Sequence, residues 1–131
     1  MKYIAAFTIA LLVSTTLATA DPLLGTWQTT KRDDGRYGHV AFSRCGAAIC
    51  GVLVQSFDQA GKQIKTSIDG RKIVWDMKAG ANKTYGGGKV WSPEANKTYT
   101  GKLSVKGNQL TVKGCVLAIC RTGGVWSRVS G

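Results

Sequence analysis

Residues 37–57 read YGHVAFSRCGAAICGVLVQSF and contain two runs with the alternating pattern of a β-strand. In the first run Val40, Phe42 and Arg44 fall on one face, and His39, Ala41 and Ser43 on the other. Glycine and two cysteines occupy the point where the two runs meet. The pattern predicts an antiparallel hairpin with strands over residues 37–45 and 50–57.

Similar runs continue on both sides of this hairpin, and most are separated by short polar or glycine-containing turns. They cover residues 24–31, 71–78, 83–91, 98–105, 109–116 and 121–129. Residues 58–70 are polar and predict a long loop or one short helix, while the glycines at 86–88 predict a bulge or sharp coiling. About eight antiparallel strands with short connections predict an all-β domain, either a closed barrel or a sandwich.

A second pair of cysteines repeats the spacing of the first. Cys45 and Cys50 enclose four residues, and so do Cys115 and Cys120. An even number of cysteines in a small exported chain indicates disulfides, and the local pairing is favoured because each pair lies across a predicted hairpin. The crossed pairing between the two hairpins remains the alternative. A zinc site is not expected, because such sites usually use closer pairs with two residues between the cysteines.

The first twenty residues have the organisation of a signal peptide. Lys2 is followed by the apolar residues 3–13 and then by small residues that end in Ala18-Thr19-Ala20. We expect cleavage after Ala20, leaving residues 21–131 as a single β-barrel domain in the periplasm or outside the cell. The apolar run is too short for a bilayer core of about 30 Å, so no transmembrane segment is predicted.

The chain is strongly basic and carries no recognisable catalytic motif. It has 18 Lys and Arg against 7 Asp and Glu, for a formal net charge of +11. This charge favours anionic partners such as envelope components, whereas nucleic acid is not expected without a binding motif. His39 is the single histidine and Glu94 the single glutamate, and neither lies in a nucleophile or metal motif. We therefore predict a protein that is not an enzyme and uses no cofactor.

The aromatic residues are the main candidates for ligand contact. Trp75, Trp91 and Tyr99 lie in predicted strands, and inward aromatic side chains of a small barrel either fill its core or line a cavity at its mouth. Both possibilities remain open for these three residues.

Four segments together resemble the bacterial family called domain of unknown function 2147. They are residues 25–27 (GTW), 45–51 (CGAAICG), 87–99 (GGKVWSPEANKTY) and 120–128 (CRTGGVWSR). The resemblance implies a lipocalin-like barrel, export to the periplasm and no assigned activity. The family usually has tyrosine and aspartate where this chain has Trp91 and Ser92, so a role carried by that aspartate is not transferred.

The segment Gly25-Thr26-Trp27 is also similar to the lipocalin G-x-W signature. That similarity implies that Trp27 closes the barrel floor and that an arginine of the last strand packs across it. Arg128 matches this arginine by its place in the final run, and Arg121 is the second candidate.

These observations lead to two hypotheses of function. The first is an exported, non-enzymatic barrel that binds a small apolar or amphipathic ligand. The alternative is an envelope-interaction protein with a filled core, whose basic surface binds anionic polymers or lipids.

Overall fold

The computed structural model describes residues 6, 8–10 and 21–131. The expected signal peptide and its cleavage after Ala20 therefore fall almost entirely outside the described residues and stay a prediction. Within the described part of the chain, no helix has the length and apolar character needed to cross a membrane.

The described residues form nine β-strands. They are β1 (Gly25–Gln28), β2 (Tyr37–Cys45), β3 (Ala48–Phe57), β4 (Gln63–Ile64), β5 (Lys72–Ala79), β6 (Thr84–Ser92), β7 (Lys97–Lys106), β8 (Gln109–Val116) and β9 (Ile119–Ser130). Each pairing between them is antiparallel. The predicted all-β class is confirmed.

Eight of the strands close into a barrel. Neighbours along the chain pair with each other from β1 to β3 and from β5 to β9, β3 pairs with β5, and β9 returns to β1. The first and last strands meet where Trp27 lies opposite Arg128. Closure leaves the barrel without a continuous free edge, and this is the closed alternative that the strand pattern predicted.

The connection from β3 to β5 differs from one of the two expectations for residues 58–70. It is a loop that contains the two-residue strand β4, which pairs with the end of β3, and it contains no helix. Asp58 turns the chain there, because its carboxylate accepts hydrogen bonds of 2.9 Å from the N–H groups of Ala60 and Lys62. A side chain that bonds the backbone in this way favours a turn over a helix.

The predicted bulge in the glycine run is confirmed. The pairing of β6 with β7 shifts register between Tyr85 and Gly88, and Gly87 has a φ of 74°. Gly88 lies against the backbone of Trp75 and Asp76, where a β-carbon would collide with the main chain. Only glycine permits this close approach of two strands.

The two ends of the barrel differ in their coverage. The open end is defined as the end where β1, β3, β6 and β8 finish, because antiparallel order brings these four strand ends together. The closed end is the opposite one, where residues 21–24 enter the barrel. The side chains most deeply buried in the described chain are Trp27, Leu23, Met77, Leu103, Leu110, Val40 and Val74. Trp27, Leu23, Met77, Leu103 and Leu110 fill the interior toward the closed end, and Val40 and Val74 lie nearer the middle of the barrel.

One disulfide lies near each end, and the predicted local pairing is confirmed. Cys45 is bonded to Cys50 at the closed end, and Cys115 to Cys120 at the open end. The two hairpins have different registers despite their identical spacing. Cys45 lies directly before its turn and pairs with Ala48, whereas Cys115 lies directly opposite Cys120.

Candidate functional site

The open end contains a cavity of about 520 Å³. This volume lies within the range of about 300–1,000 Å³ that is usual for small-molecule sites. None of the seven most deeply buried side chains contributes to its wall, so the cavity lies above a filled lower half of the barrel. Its apolar wall is formed by Tyr37, Leu53, Phe57, Ile64, Ile68, Ile73, Val90, Trp91, Val112 and Trp126.

The rim of the cavity is polar and carries more positive than negative charge. The β1–β2 loop contributes Lys31, Arg32 and Arg36, together with Asp33, and the β6–β7 turn contributes Glu94. Arg32 Nε lies 3.4 Å from the Glu94 carboxylate, but without hydrogen-bond geometry. Among the described residues this buried N–H has no hydrogen-bond partner, and the guanidinium is ion-paired with the Glu94 carboxylate at the rim.

The β4–β5 loop is fixed against the cavity wall by one carboxylate. Asp69 accepts hydrogen bonds of 2.6 Å from the hydroxyls of Ser56 and Thr66, and one of 3.1 Å from the Thr66 N–H. Ser56 and Thr66 both line the cavity. The Ser56 hydroxyl, followed by the Thr66 hydroxyl and N–H, lowers the pKa of Asp69 below its ordinary value.

Of the three proposed ligand-contact residues, the structure brings Trp91 to the cavity. Its indole N–H donates to Asn96 Oδ1 at 3.2 Å, and the Arg71 guanidinium lies 3.4 Å from the ring centre. This stack holds the ring in the wall.

The other two proposed contact residues lie elsewhere. Trp75 is half-buried and pairs with Lys89, whose side chain is exposed, so the two share a face of the sheet. Tyr99 packs over Gly114 of the neighbouring strand. Neither is part of the cavity wall.

Trp126 lines the cavity, although the sequence analysis did not select it as a contact residue. Its position in the sequence could have indicated this contact, because Trp126 lies two residues before Arg128 in a run with the alternating pattern of a β-strand. Residues two apart in a strand share a face, so an inward Arg128 implies an inward Trp126.

At the closed end the structure brings Arg128, and not Arg121, to Trp27. The guanidinium carbon of Arg128 lies 4.2 Å from the ring centre of Trp27, which is fully buried. Arg128 also donates to the carbonyls of Pro22 at 2.6 Å and Leu24 at 3.4 Å. Arg121 is exposed near the start of β9, at the open end.

The segment that enters the closed end is tied down at two further points. The Trp27 indole N–H donates to the Leu23 carbonyl at 2.9 Å, and the Tyr85 hydroxyl donates to the Asp21 carboxylate. Burial, and then the contact with Asp21, raises the pKa of Tyr85 well above its ordinary value. The closed end is therefore blocked by packed side chains and hydrogen-bonded backbone.

His39 is not among the residues of the cavity wall and lies beside the stacked rings of Tyr37 and Phe57. Its imidazole is 4.5 Å from the ring centre of Phe57 and 6.4 Å from that of Tyr37, and burial lowers its pKa. In the described chain there is no group of three or more His, Cys, Asp or Glu side chains arranged to hold a metal ion.

Comparisons with known proteins give one family and one structural neighbour. Residues 25–128 match a family model described as an uncharacterized protein conserved in bacteria, DUF2147. The solved structure of HP1028 from Helicobacter pylori, described as belonging to the lipocalin family, is similar with a TM-score of 0.61. The two chains are 20% identical over 82% of this chain and 83% of that one, a likeness of fold alone. No curated protein matches.

Proposed function

The chain belongs to the DUF2147 family of uncharacterized bacterial proteins, and we propose that it binds a small amphipathic molecule in the cavity at the open end of its lipocalin-like barrel. The cavity itself carries this proposal. An apolar hollow closed below by Trp27 and Leu23, and open above to polar groups, has the form in which small barrels hold ligands.

The arrangement of the wall favours a ligand with an apolar tail and an anionic head group. The tail would pack against Val112, Trp91 and Trp126. Each Å² of apolar surface that this contact removes from water contributes about 25 cal/mol to binding. The head group would lie at the rim, where the basic side chains of Lys31, Arg32 and Arg36 outnumber the carboxylates of Asp33 and Glu94. This assigns Trp91 as a ligand contact and leaves Trp75 and Tyr99 without that role.

We also propose that the protein acts outside the cytoplasm, by binding and without catalysis. Two disulfides in a small bacterial domain support an oxidising compartment, in agreement with the expected signal peptide over residues 1–20. The alternative with a filled core is less favoured, because the cavity occupies the upper half of the barrel.

Val112→Phe tests the site directly. The added ring projects from the cavity wall and takes the volume of a ligand tail, so dodecanoate binding measured by calorimetry should fall at least about tenfold. Val54→Phe is the matched control, because Val54 is 46% exposed on β3 and lies outside the cavity. It should bind as the wild type does.

Two further measurements keep the experiment decisive. Ile68→Trp places bulk on the loop side of the cavity and replaces Val112→Phe if that variant fails to fold. Dodecylamine, with the opposite head-group charge, should bind more weakly than dodecanoate. Unchanged dodecanoate binding in the folded cavity variants would contradict the proposed site. Equal binding of the two amphiphiles would contradict the anionic head group.

A further inference from the structure

The turn between β8 and β9 exposes a continuous apolar tip. The tip is defined as residues 116–119, which read Val-Leu-Ala-Ile. Val116 is 61% exposed, Leu117 98% and Ile119 69%. The Cys115–Cys120 disulfide joins the two strands directly below the tip and fixes its base. The described chain therefore presents apolar side chains on a covalently closed hairpin.

The β2–β3 hairpin shows that such a disulfide loop does not need an exposed apolar tip. It has the same cysteine spacing, but its turn residues are Gly46 and Ala47, and the apolar residues that follow return to the core. Ala48 is 8% exposed and Ile49 is 2% exposed. The exposure of residues 116–119 is therefore not a consequence of the cysteine spacing, and it depends on the residues and the strand register of the β8–β9 hairpin.

Backbone conformation makes the leucine at this tip unusual. Leu117 has a φ of 55°, and the corresponding first turn residue of the other hairpin is Gly46, with a φ of 69°. An L-residue with a side chain is disfavoured in this left-handed region, and glycine is the usual choice. Because Leu117 is also almost fully exposed, neither the turn nor the core accounts for a leucine there.

The charge around the tip indicates what it contacts. The tip lies at the open end, beside the cavity mouth, and basic residues outnumber acidic ones at this end. The strand starts and loops there carry Lys31, Arg32, Arg36, Lys62, Lys65, Arg71, Lys72, Lys97 and Arg121, against Asp33, Asp34, Asp58, Asp69 and Glu94. Apolar side chains next to positive charge are typical of segments that enter the interface of an anionic membrane.

We infer that the β8–β9 tip is a membrane-docking element, which inserts Leu117 and Ile119 into the interface of an anionic lipid surface while the surrounding lysines and arginines contact the headgroups. The disulfide holds the tip in its protruding form, so little conformational entropy is lost on binding. Docking turns the cavity mouth toward the lipid. The inference does not depend on occupancy of the cavity, because the tip is not part of the cavity wall.

Leu117→Gly separates this role from a structural one. Glycine relieves the left-handed φ, so the variant should unfold at a temperature equal to or above that of the wild type. Its binding to phosphatidylglycerol vesicles in a flotation assay should nevertheless fall about tenfold, because a leucine side chain no longer enters the interface. Val54→Gly removes an exposed apolar side chain from the barrel wall and should bind as the wild type does.

Lipid charge and protein association complete the test. Phosphatidylcholine vesicles should bind weakly, and added salt should weaken binding to phosphatidylglycerol. Equal vesicle binding by Leu117→Gly and wild type, or none by either, would overturn the inference. A wild-type dimer in analytical ultracentrifugation that Leu117→Gly abolishes would show that the tip joins two copies, and would also overturn it. The assay contains no dodecanoate, so its failure is independent of the cavity proposal.

Discussion

Arg128 connects the last strand to the segment that enters the closed end, since it stacks on Trp27 and donates to two backbone carbonyls. Arg128→Ala removes the stack and leaves those carbonyls without their donor. The free energy of unfolding, measured with urea, should fall by about 2–4 kcal/mol. Arg128→Lys keeps the charge but lacks the planar guanidinium, so we expect an intermediate loss.

Arg121 provides the control for this prediction, because it lies on the same strand and is exposed. Arg121→Ala should change the free energy of unfolding by less than about 0.5 kcal/mol. If the two alanine variants were equally stable, Arg128 would not hold the closed end.

Asp69 gives the stability of the β4–β5 loop a dependence on pH. Its pKa is lowered in the folded state, so its contribution is present above the ordinary carboxyl pKa and is lost as the pH falls through the folded value. Asp69→Ala should lower the free energy of unfolding by about 1 kcal/mol near pH 7 and by less near about pH 3. Thermal unfolding at both pH values measures the difference.

Ser56→Ala serves as the partner variant, because it removes one donor to the same carboxylate and leaves no buried hydroxyl unpaired. Its loss of stability should be smaller than that of Asp69→Ala. A gap between Asp69→Ala and wild type that does not narrow at low pH would show that the ionised carboxylate is not the stabilising form.

For individual residues, the sequence identified those that belong to a short recognisable motif. It missed those whose contacts join segments that are distant in the chain. The pairing of Trp27 with Arg128 was implied by the similarity of residues 25–27 to the lipocalin signature and by the place of Arg128 in the last run. The contacts of Asp69 and Arg32 are made by loops that meet in space, and no spacing in the sequence encodes them. Trp75 was selected as a ligand contact by residue type alone. In the structure it pairs with Lys89, shares its face of the sheet and is not part of the cavity wall.

Each disulfide closes a short loop of equal length within one hairpin, with four residues between its two cysteines. Replacing either pair with serine should lower the free energy of unfolding by about 2 kcal/mol in the loop-entropy model. Because the two bridges lie at opposite ends, removal of both should give the sum of the single effects. Urea unfolding of the three variants measures this. A clearly larger effect of the double removal would indicate that the two hairpins are coupled.

Most strand positions were predicted well, although β1 ends at Gln28, three residues before the predicted end of its run. The registers at the turns were not predicted. The runs assigned to β5 to β8 agree with the structure to within a residue or two, because alternation and glycine-containing turns mark them. β9 begins at Ile119, two residues before the predicted start, and β3 begins at Ala48. The equal cysteine spacing does not reveal where each turn begins. The turn begins at Gly46, one residue after Cys45, in the first hairpin and at Leu117, two residues after Cys115, in the second.

For the whole molecule, the sequence left a barrel and a sandwich open until the resemblance to a barrel family was considered. Closure depends on the pairing of β1 with β9, which lie at the two ends of the domain, and no local pattern reports such a contact. The cavity was likewise undetermined, since its volume is what the inward side chains of eight strands leave unfilled.

The placement of both bridges inside single hairpins has a consequence for oxidation of the newly made chain. Four cysteines allow three pairings, and in the one observed each cysteine has its nearest neighbour as partner. The other pairings close loops roughly fourteen times longer, at an added entropic cost of about 2 kcal/mol. Correct bonds can therefore form within each hairpin as soon as its two strands have paired. The observed pairing therefore does not require that the barrel be closed before its cysteines are oxidised.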